Sequence, residues 1–228
     1  PLGDNGGFIN FSGDFDVRQE YSRMNIWEGS IFNLYNTVER LAASQGMDLA
    51  NLGDADVVSL AQTIPFISQS DKDLISGFSS EELHSPTKVY SDGTVVFYNP
   101  LSNNTTTEEL TARGQKRSDY NMRVGQSALR GGRFFANFSL PMDDNGTALY
   151  SFAGLSSRTG NSAGFYRLPN QNRTYTPAYI NGFIPEINSN IKDQSLSVGI
   201  KGMVGDWNID LSNTYGKNSF LYTIGNTS

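Results

Sequence analysis

The chain has one histidine, His84, and no cysteine among its 228 residues. Thiolate metal centres, disulfides and cysteine nucleophiles are therefore excluded. His84 has no second histidine with which to share a metal ion or build a catalytic relay, and it reads as an ordinary loop residue. No nucleophile elbow, phosphate-binding glycine loop or HExxH helix occurs. Asp54-Ala55-Asp56 and Asp71-Lys72-Asp73 open like calcium loops but lack the distal glutamate that would complete one. Glu81-Glu82 and Glu108-Glu109 are sequence neighbours expected to face solvent. The residues predict no catalysis, no metal and no cofactor.

Binding chemistry is more visible. Residues 159–193 carry Phe165, Tyr166, Arg167, Arg173, Tyr175, Tyr179 and Phe183, braced by Pro169, Pro177 and Pro185. Tyr and Arg are the types that most often anchor ligands at exposed surfaces. Tyr166, Arg167, Arg173, Tyr175 and Tyr179 are the candidate ligand contacts. The other reading of this segment is a loop packed on itself. Residues 113–173 are net +6, whereas residues 1–112 are net −11. Arginines of that basic tract could line a lumen, meet lipid phosphates bidentately, or simply solvate strands. A sequence pI near 4.8 argues against a nucleic-acid binder.

The elements that must position these residues are strands. From Ile9, alternate positions read Ile, Phe, Gly, Phe, Val, Gln, Tyr, and the intervening set reads Asn, Ser, Asp, Asp, Arg, Glu, Ser. This period of two runs well beyond the ~5–6 residues of an ordinary strand and exceeds the ~9–11 that cross a bilayer. The pattern returns in 194–202 and 207–222 and is blurred in 116–141 and 147–158. Five strands are expected, the first over 7–26. Short turns at 3–6, 142–146 and 203–206 alternate with long polar segments at 28–112 and 159–193. That asymmetry is the layout of transmembrane β-barrels. Within 28–112, Ile31 to Ala43 has helical spacing, and 57–61 and 74–78 suggest shorter helices around Pro65. The segment reads as one long extracellular loop with helical pieces; a small separate domain is the alternative. Trp27, Trp207, Tyr215 and Tyr222 are expected near strand ends as an interfacial girdle.

Composition agrees. The chain holds 23 Gly, 8 Pro, 22 Asn and 25 Phe and Tyr, with hydrophobic residues at only 37%. No apolar run approaches the ~18 residues of a membrane helix. The sequence begins Pro1-Leu2-Gly3 without an apolar leader, consistent with a processed chain or an internal piece. The seven Asn-x-Ser/Thr sequons are expected by chance in so Asn-rich a chain.

Several stretches resemble TonB-dependent outer-membrane receptors, particularly those of Bacteroidota. They are Arg117–Gln126 (RSDYNMRVGQ), Tyr150–Arg158 (YSFAGLSSR), Asn181–Ile187 (NGFIPEI), Phe8–Ser12 (FINFS) and Trp207–Gly216 (WNIDLSNTYG). The resemblance covers roughly 7–27 and 113–222. It implies an all-β fold, antiparallel strands of a large barrel of ~22 strands with long extracellular loops. It also implies a Gram-negative outer-membrane location and non-enzymatic, energised uptake of a scarce nutrient: ferric siderophore, haem, cobalamin or glycan. The implied partners are outer-membrane lipid and lipopolysaccharide, a plug domain and further barrel strands, TonB acting through that plug, a surface lipoprotein, and the small-molecule or glycan ligand. No plug or TonB box is visible, so the whole chain reads as part of one barrel domain. Two other readings remain open: a secreted or surface β-sandwich that binds carbohydrate, and a small closed barrel acting as porin or adhesin.

Overall fold

The computed structural model describes residues 2, 6–84, 87–89, 95–98 and 100–227. The turn expected over 3–6 lies outside them except for Gly6. In chain order the elements are β1 (Phe8–Arg18), β2 (Tyr21–Ser22), α1 (Leu34–Ser44), α2 (Asp54–Thr63), α3 (Gln69–Ile75), α4 (Ser80–His84), β3 (Thr87–Val89) and β4 (Val95–Tyr98). They continue with α5 (Thr107–Ala112), β5 (Gly125–Gln126), β6 (Ala128–Pro141), β7 (Ala148–Ala163), β8 (Glu186–Val204) and β9 (Trp207–Gly225). Leu49–Asn51 and Arg117–Tyr120 form 3-10 turns. Residues 1–21, 125–162 and 186–225 make one compact unit, and 22–124, 163–185 and 226–228 make a second.

The first unit is an antiparallel sheet ordered β1-β6-β7-β8-β9, with β1 and β9 as its edges. Its turns are short at one end. Gly205-Asp206 joins β8 to β9, and Gly205 takes φ +60° at the first position of the two-residue loop, where a glycine is needed to match the strand twist. Asp143 caps the β6–β7 turn by accepting from the amides of Asn145 and Thr147, both at 2.9 Å. The long connections, 19–127 and 164–185, all leave from the opposite end.

Register sorts the side chains. Ile9, Phe11, Phe15 and Val17 stand opposite Phe138, Ala136, Gly132 and Arg130 on one face, and that face continues through Leu149 and Leu155 of β7. Ser156 bonds Asp193 at 2.9 Å and Asn161 bonds Asn188 at 2.7 Å, which sets β8 against β7. The same face therefore carries Leu196, Val198, Ile200 and Val204 of β8 and Trp207, Ile209, Leu211 and Tyr215 of β9. These side chains are exposed, Trp207 to 77% and Leu211 to 71%. Ser151, Ser157 and Asn213 interrupt it, and Arg130 opposite Val17 stands on the same face toward the connection end.

The other face is cross-linked by polar side chains, with Phe8, Phe135, Phe152 and Met203 exposed among them. Arg133 pairs with Asp14 at 3.0 Å, Asn218 bonds Asp193 at 2.5 Å, and Ser197 meets Thr214 at 3.0 Å. Tyr150 reaches Asp210 at 2.7 Å from β7 to β9. It crosses the bare backbone of Gly199, where an added Cβ would sit 2.4 Å from the ring. Toward the connection end the faces exchange polarity. There Asn188, Asn190, Lys192 and Lys217 take the formerly apolar side, while Ile187, Ile191, Phe220, Tyr222 and Ile224 take the other.

The second unit has its own core. Leu34, Val38 and Ala42 of α1 pack with Val57, Leu60 and Ala61 of α2, and with Ile64, Ile67, Ile75 and Leu83. A smaller cluster joins Ile31, Phe32, Tyr120 and Leu168. The long segment expected as a loop with helical pieces thus carries five helices, of which α1 to α4 bury apolar side chains among themselves. Trp27 packs against the second cluster and not at a strand end, and Tyr222 lies on the face opposite Trp207. Both differ from the expected girdle, which Trp207 and Tyr215 alone match in side.

Candidate functional site

Two features stand out, one in each unit. In the sheet it is the outline of the apolar face. On β1 the apolar positions run from Ile9 to Val17, and on β9 from Trp207 to Tyr215. Following the ladders, Val17 is in register with Leu221 and Ile9 with Asn213. Both limits of the band therefore step six residues toward the short-turn end across four strand spacings. Six residues at ~3.3 Å against four spacings of ~4.8 Å give a slant of about 45°. A level apolar layer crossing strands that tilt by 35–45° draws this outline on a barrel wall.

In the second unit it is a cleft of about 370 Å³, lined by Tyr35 and Glu39 of α1, Leu49 and Ala50, His84, and residues 172–177. The local sequence explains the arrangement. Asn33 caps α1 by accepting from the Asn36 amide at 2.9 Å, and Asn36 answers from the Asn33 amide at 3.0 Å. The Asn33 amide group also donates to the His84 carbonyl at 2.9 Å. The start of the helix therefore holds the end of α4. Tyr35 and Glu39, four residues apart, share one helix face. The Tyr35 and His84 rings meet edge to face at 5.2 Å.

Across the cleft, residues 173–176 alternate. Thr174 and Thr176 are buried, whereas Arg173 and Tyr175 are exposed. Thr176 donates to Glu39, and Asn36 donates to the same carboxyl at 3.1 Å. Burial pushes the Glu39 carboxyl above its ordinary range, although these hydrogen bonds and Arg113 act against the shift. Burial likewise lowers the His84 imidazole and carries the Tyr35 phenol up to about 12, with Glu39 and Asp54 adding to the latter. The lining therefore favours uncharged forms. His84 Nδ1 and Thr174 Oγ1 are buried without a hydrogen-bond partner among the described residues.

Of the expected contacts, Arg173 and Tyr175 line this cleft. Arg173 Nε donates to Gln171 at 3.2 Å. Tyr166 is half-buried: its ring lies 5.5 Å from Tyr120 and its hydroxyl donates to the Asn181 carbonyl at 3.2 Å. The Tyr179 ring lies 4.4 Å from that of Phe183, tilted by 37°, and its hydroxyl donates to the Thr227 carbonyl at 3.0 Å. Arg167 forms a backbone bridge with Phe183. Those three brace the segment, whereas Arg173 and Tyr175 line the cleft with exposed side chains. Sequence reasoning missed Tyr35, Glu39, His84, Thr174 and Thr176. The four-residue spacing of Tyr35 and Glu39 on a capped helix was the available signal.

Among the described residues no group of His, Asp and Glu is arranged to hold a metal ion, and no helix is long and apolar enough to cross a membrane. Comparisons with known proteins find no matching family model, no matching curated protein and no matching solved structure.

Proposed function

We propose that the chain is part of a TonB-dependent transporter of a Gram-negative outer membrane. In this reading the β1-β6-β7-β8-β9 sheet is a section of barrel wall, and the connections 19–127 and 164–185 lie on the external side. The slanted apolar band carries the proposal. Five antiparallel strands present an exposed apolar layer of constant height, and its tilt is the one a barrel requires. The opposite face carries the hydrogen-bonded and charged side chains that a lumen wall would use, alongside Phe135 and Phe152. A β-sandwich would instead cover that apolar face with a second sheet, and the other sheets here have two strands each.

An open sheet leaves unpaired backbone groups at β1 and β9, which hydrocarbon does not tolerate. The reading therefore needs further strands to pair with both edges and a plug to fill the lumen. The work done is energised, non-enzymatic uptake of a scarce nutrient. The deciding experiment is an immunoblot of purified outer membranes with an antibody against residues 28–112. A band several times heavier than 25.0 kDa in the membrane pellet is expected. Signal confined to the soluble fraction would overturn the reading.

A further inference from the structure

We propose that Asn145, in the turn between β6 and β7, is a spontaneous modification site that deamidates, and that the fold withholds the same reaction from Asn181. In an Asn-Gly pair the glycine has no Cβ to hinder the approach of its backbone nitrogen to the Asn side chain. The nitrogen of Gly146 attacks Cγ of Asn145 and forms a new C–N bond. The Cγ–Nδ2 bond breaks, and the displaced nitrogen takes up the Gly146 amide proton and leaves as ammonia. Water then opens the resulting succinimide. Attack at Cγ gives aspartate, and attack at the main-chain carbonyl gives isoaspartate, whose backbone is one carbon longer. The reaction consumes water alone.

The chain has three Asn-Gly pairs, and Asn5 of the first lies outside the described residues. The other two differ in what governs the attack. Asn145 and Gly146 are exposed, and a Cβ added at Gly146 would meet nothing within 4 Å. Main-chain amides anchor the turn: those of Asn145 and Thr147 donate to Asp143, and that of Met142 donates to the Thr147 carbonyl at 2.7 Å. The Asn145 side chain takes no part and has no hydrogen-bond partner among the described residues. By contrast, Oδ1 of Asn181 accepts from Arg113 at 2.9 Å. The Gly182 amide, which would supply the attacking nitrogen, donates to the Tyr179 carbonyl at 2.8 Å. Both residues are half-buried, and a Cβ at Gly182 would run into the Arg167 carbonyl. Attack at Asn181 must first break a hydrogen bond to a buried cation, one of the stronger kinds. Both glycines have positive φ, +85° and +68°, so glycine conformation does not separate the pairs.

Either product adds a negative charge beside Asp143 and Asp144, and isoaspartate also lengthens the backbone between two anchored strands. The site lies wholly within the turn and does not depend on the sheet crossing a membrane. Peptide mapping by mass spectrometry tests it, on the whole folded chain aged in mildly alkaline buffer made with heavy-oxygen water. The Asn145 peptide should take up one heavy oxygen in exchange for its amide nitrogen, as a mixture of aspartate and isoaspartate. It should convert at least about tenfold faster than the Asn181 peptide, a barrier difference of ~1.4 kcal/mol. In urea the two rates should converge, because the fold alone separates them. Asn145→Gln, a change at an exposed side chain without partners, should abolish conversion in that peptide, since the longer side chain closes the ring far more slowly. Equal rates in the folded chain, an Asn145 that converts in urea but not in the folded chain, or aspartate as the sole product would each overturn the proposal.

Discussion

Arg113 donates through Nε to Glu109 at 2.6 Å, and neither side chain reaches solvent. The same guanidinium donates to the carbonyls of Ile180 at 2.8 Å and Asn36 at 2.6 Å, and to the Asn181 side chain at 2.9 Å. Its Cζ lies over the Phe32 ring, 4.0 Å from the ring centre. One buried cation thus ties α5, α1 and the segment before β8 into a single unit. Glu109 is shared, since Arg40 also pairs with it at 3.0 Å.

Removing one partner of a buried pair leaves the other charged and unsolvated, which costs about 3–5 kcal/mol. Glu109→Ala should therefore lower the urea-unfolding free energy of the chain by about that amount. Arg113→Lys should not restore it, because an ammonium cannot make the same set of hydrogen bonds from its place over the Phe32 ring. A loss below ~1 kcal/mol for Glu109→Ala, the size typical of exposed pairs, would mean that solvent reaches the cluster.

The cleft should respond to pH in two opposed ways. Glu39 is raised in the folded state, so its contribution is fully present below pH 4.5 and is lost as pH climbs through the folded value. His84 is lowered, so its contribution is present above pH 6.5 and is lost as pH falls through the folded value. Glu39→Gln should accordingly be less damaging at neutral pH than at pH 4. His84→Gln should be less damaging at pH 4 than at neutral pH. Urea titrations of both variants at the two pH values read this directly. Slopes of the same sign would show that one of the two groups is not buried as described.

Much of the sheet was legible because its apolar face is a strict alternation where the band runs. Ile9 to Val17 and Leu196 to Tyr215 announce both strand and side. The continuation of β7 to Ala163 and the start of β8 at Glu186 were not legible. There the band has ended, Asn161, Asn188, Asn190 and Lys192 occupy its former side, and backbone ladders continue without a pattern in the side chains. Trp27 was misplaced for a related reason. Residue type suggested an interface, whereas burial against Phe32 and Tyr120 is decided by tertiary packing. The cleft was half legible. Arg173 and Tyr175 stood out by type, but Glu39 meets Thr176 across 137 residues of sequence, a distance no local pattern spans.

A charge placed on the band tests its surroundings. Ile200 and Leu211 stand opposite each other near its middle. Ile200→Arg should cost ~2–4 kcal/mol of folding free energy in bilayers if that level is hydrocarbon. Gly216→Arg should show no comparable loss, because it lies on the polar face and an added Cβ there meets nothing within 4 Å. Equal effects at both positions would mean that the two faces see the same solvent.

The two tryptophans offer a still more direct test, because each unit holds one. Trp207 sits at the short-turn limit of the band, exposed on its apolar side, whereas Trp27 is half-buried beside Phe32 and donates from its indole to Ser30. Indoles at a barrel rim prefer the headgroup level, and a quencher carried by lipid acts only at short range. In vesicles whose lipids are brominated near the headgroup, the emission of Trp207, isolated by Trp27→Phe, should be strongly quenched. Bromines placed at the chain ends should quench it less. Trp27, isolated by Trp207→Phe, should be indifferent to both lipids. Quenching of Trp27 with Trp207 unaffected would place the wrong unit in the membrane. Absence of quenching for both would remove the sheet from the bilayer altogether.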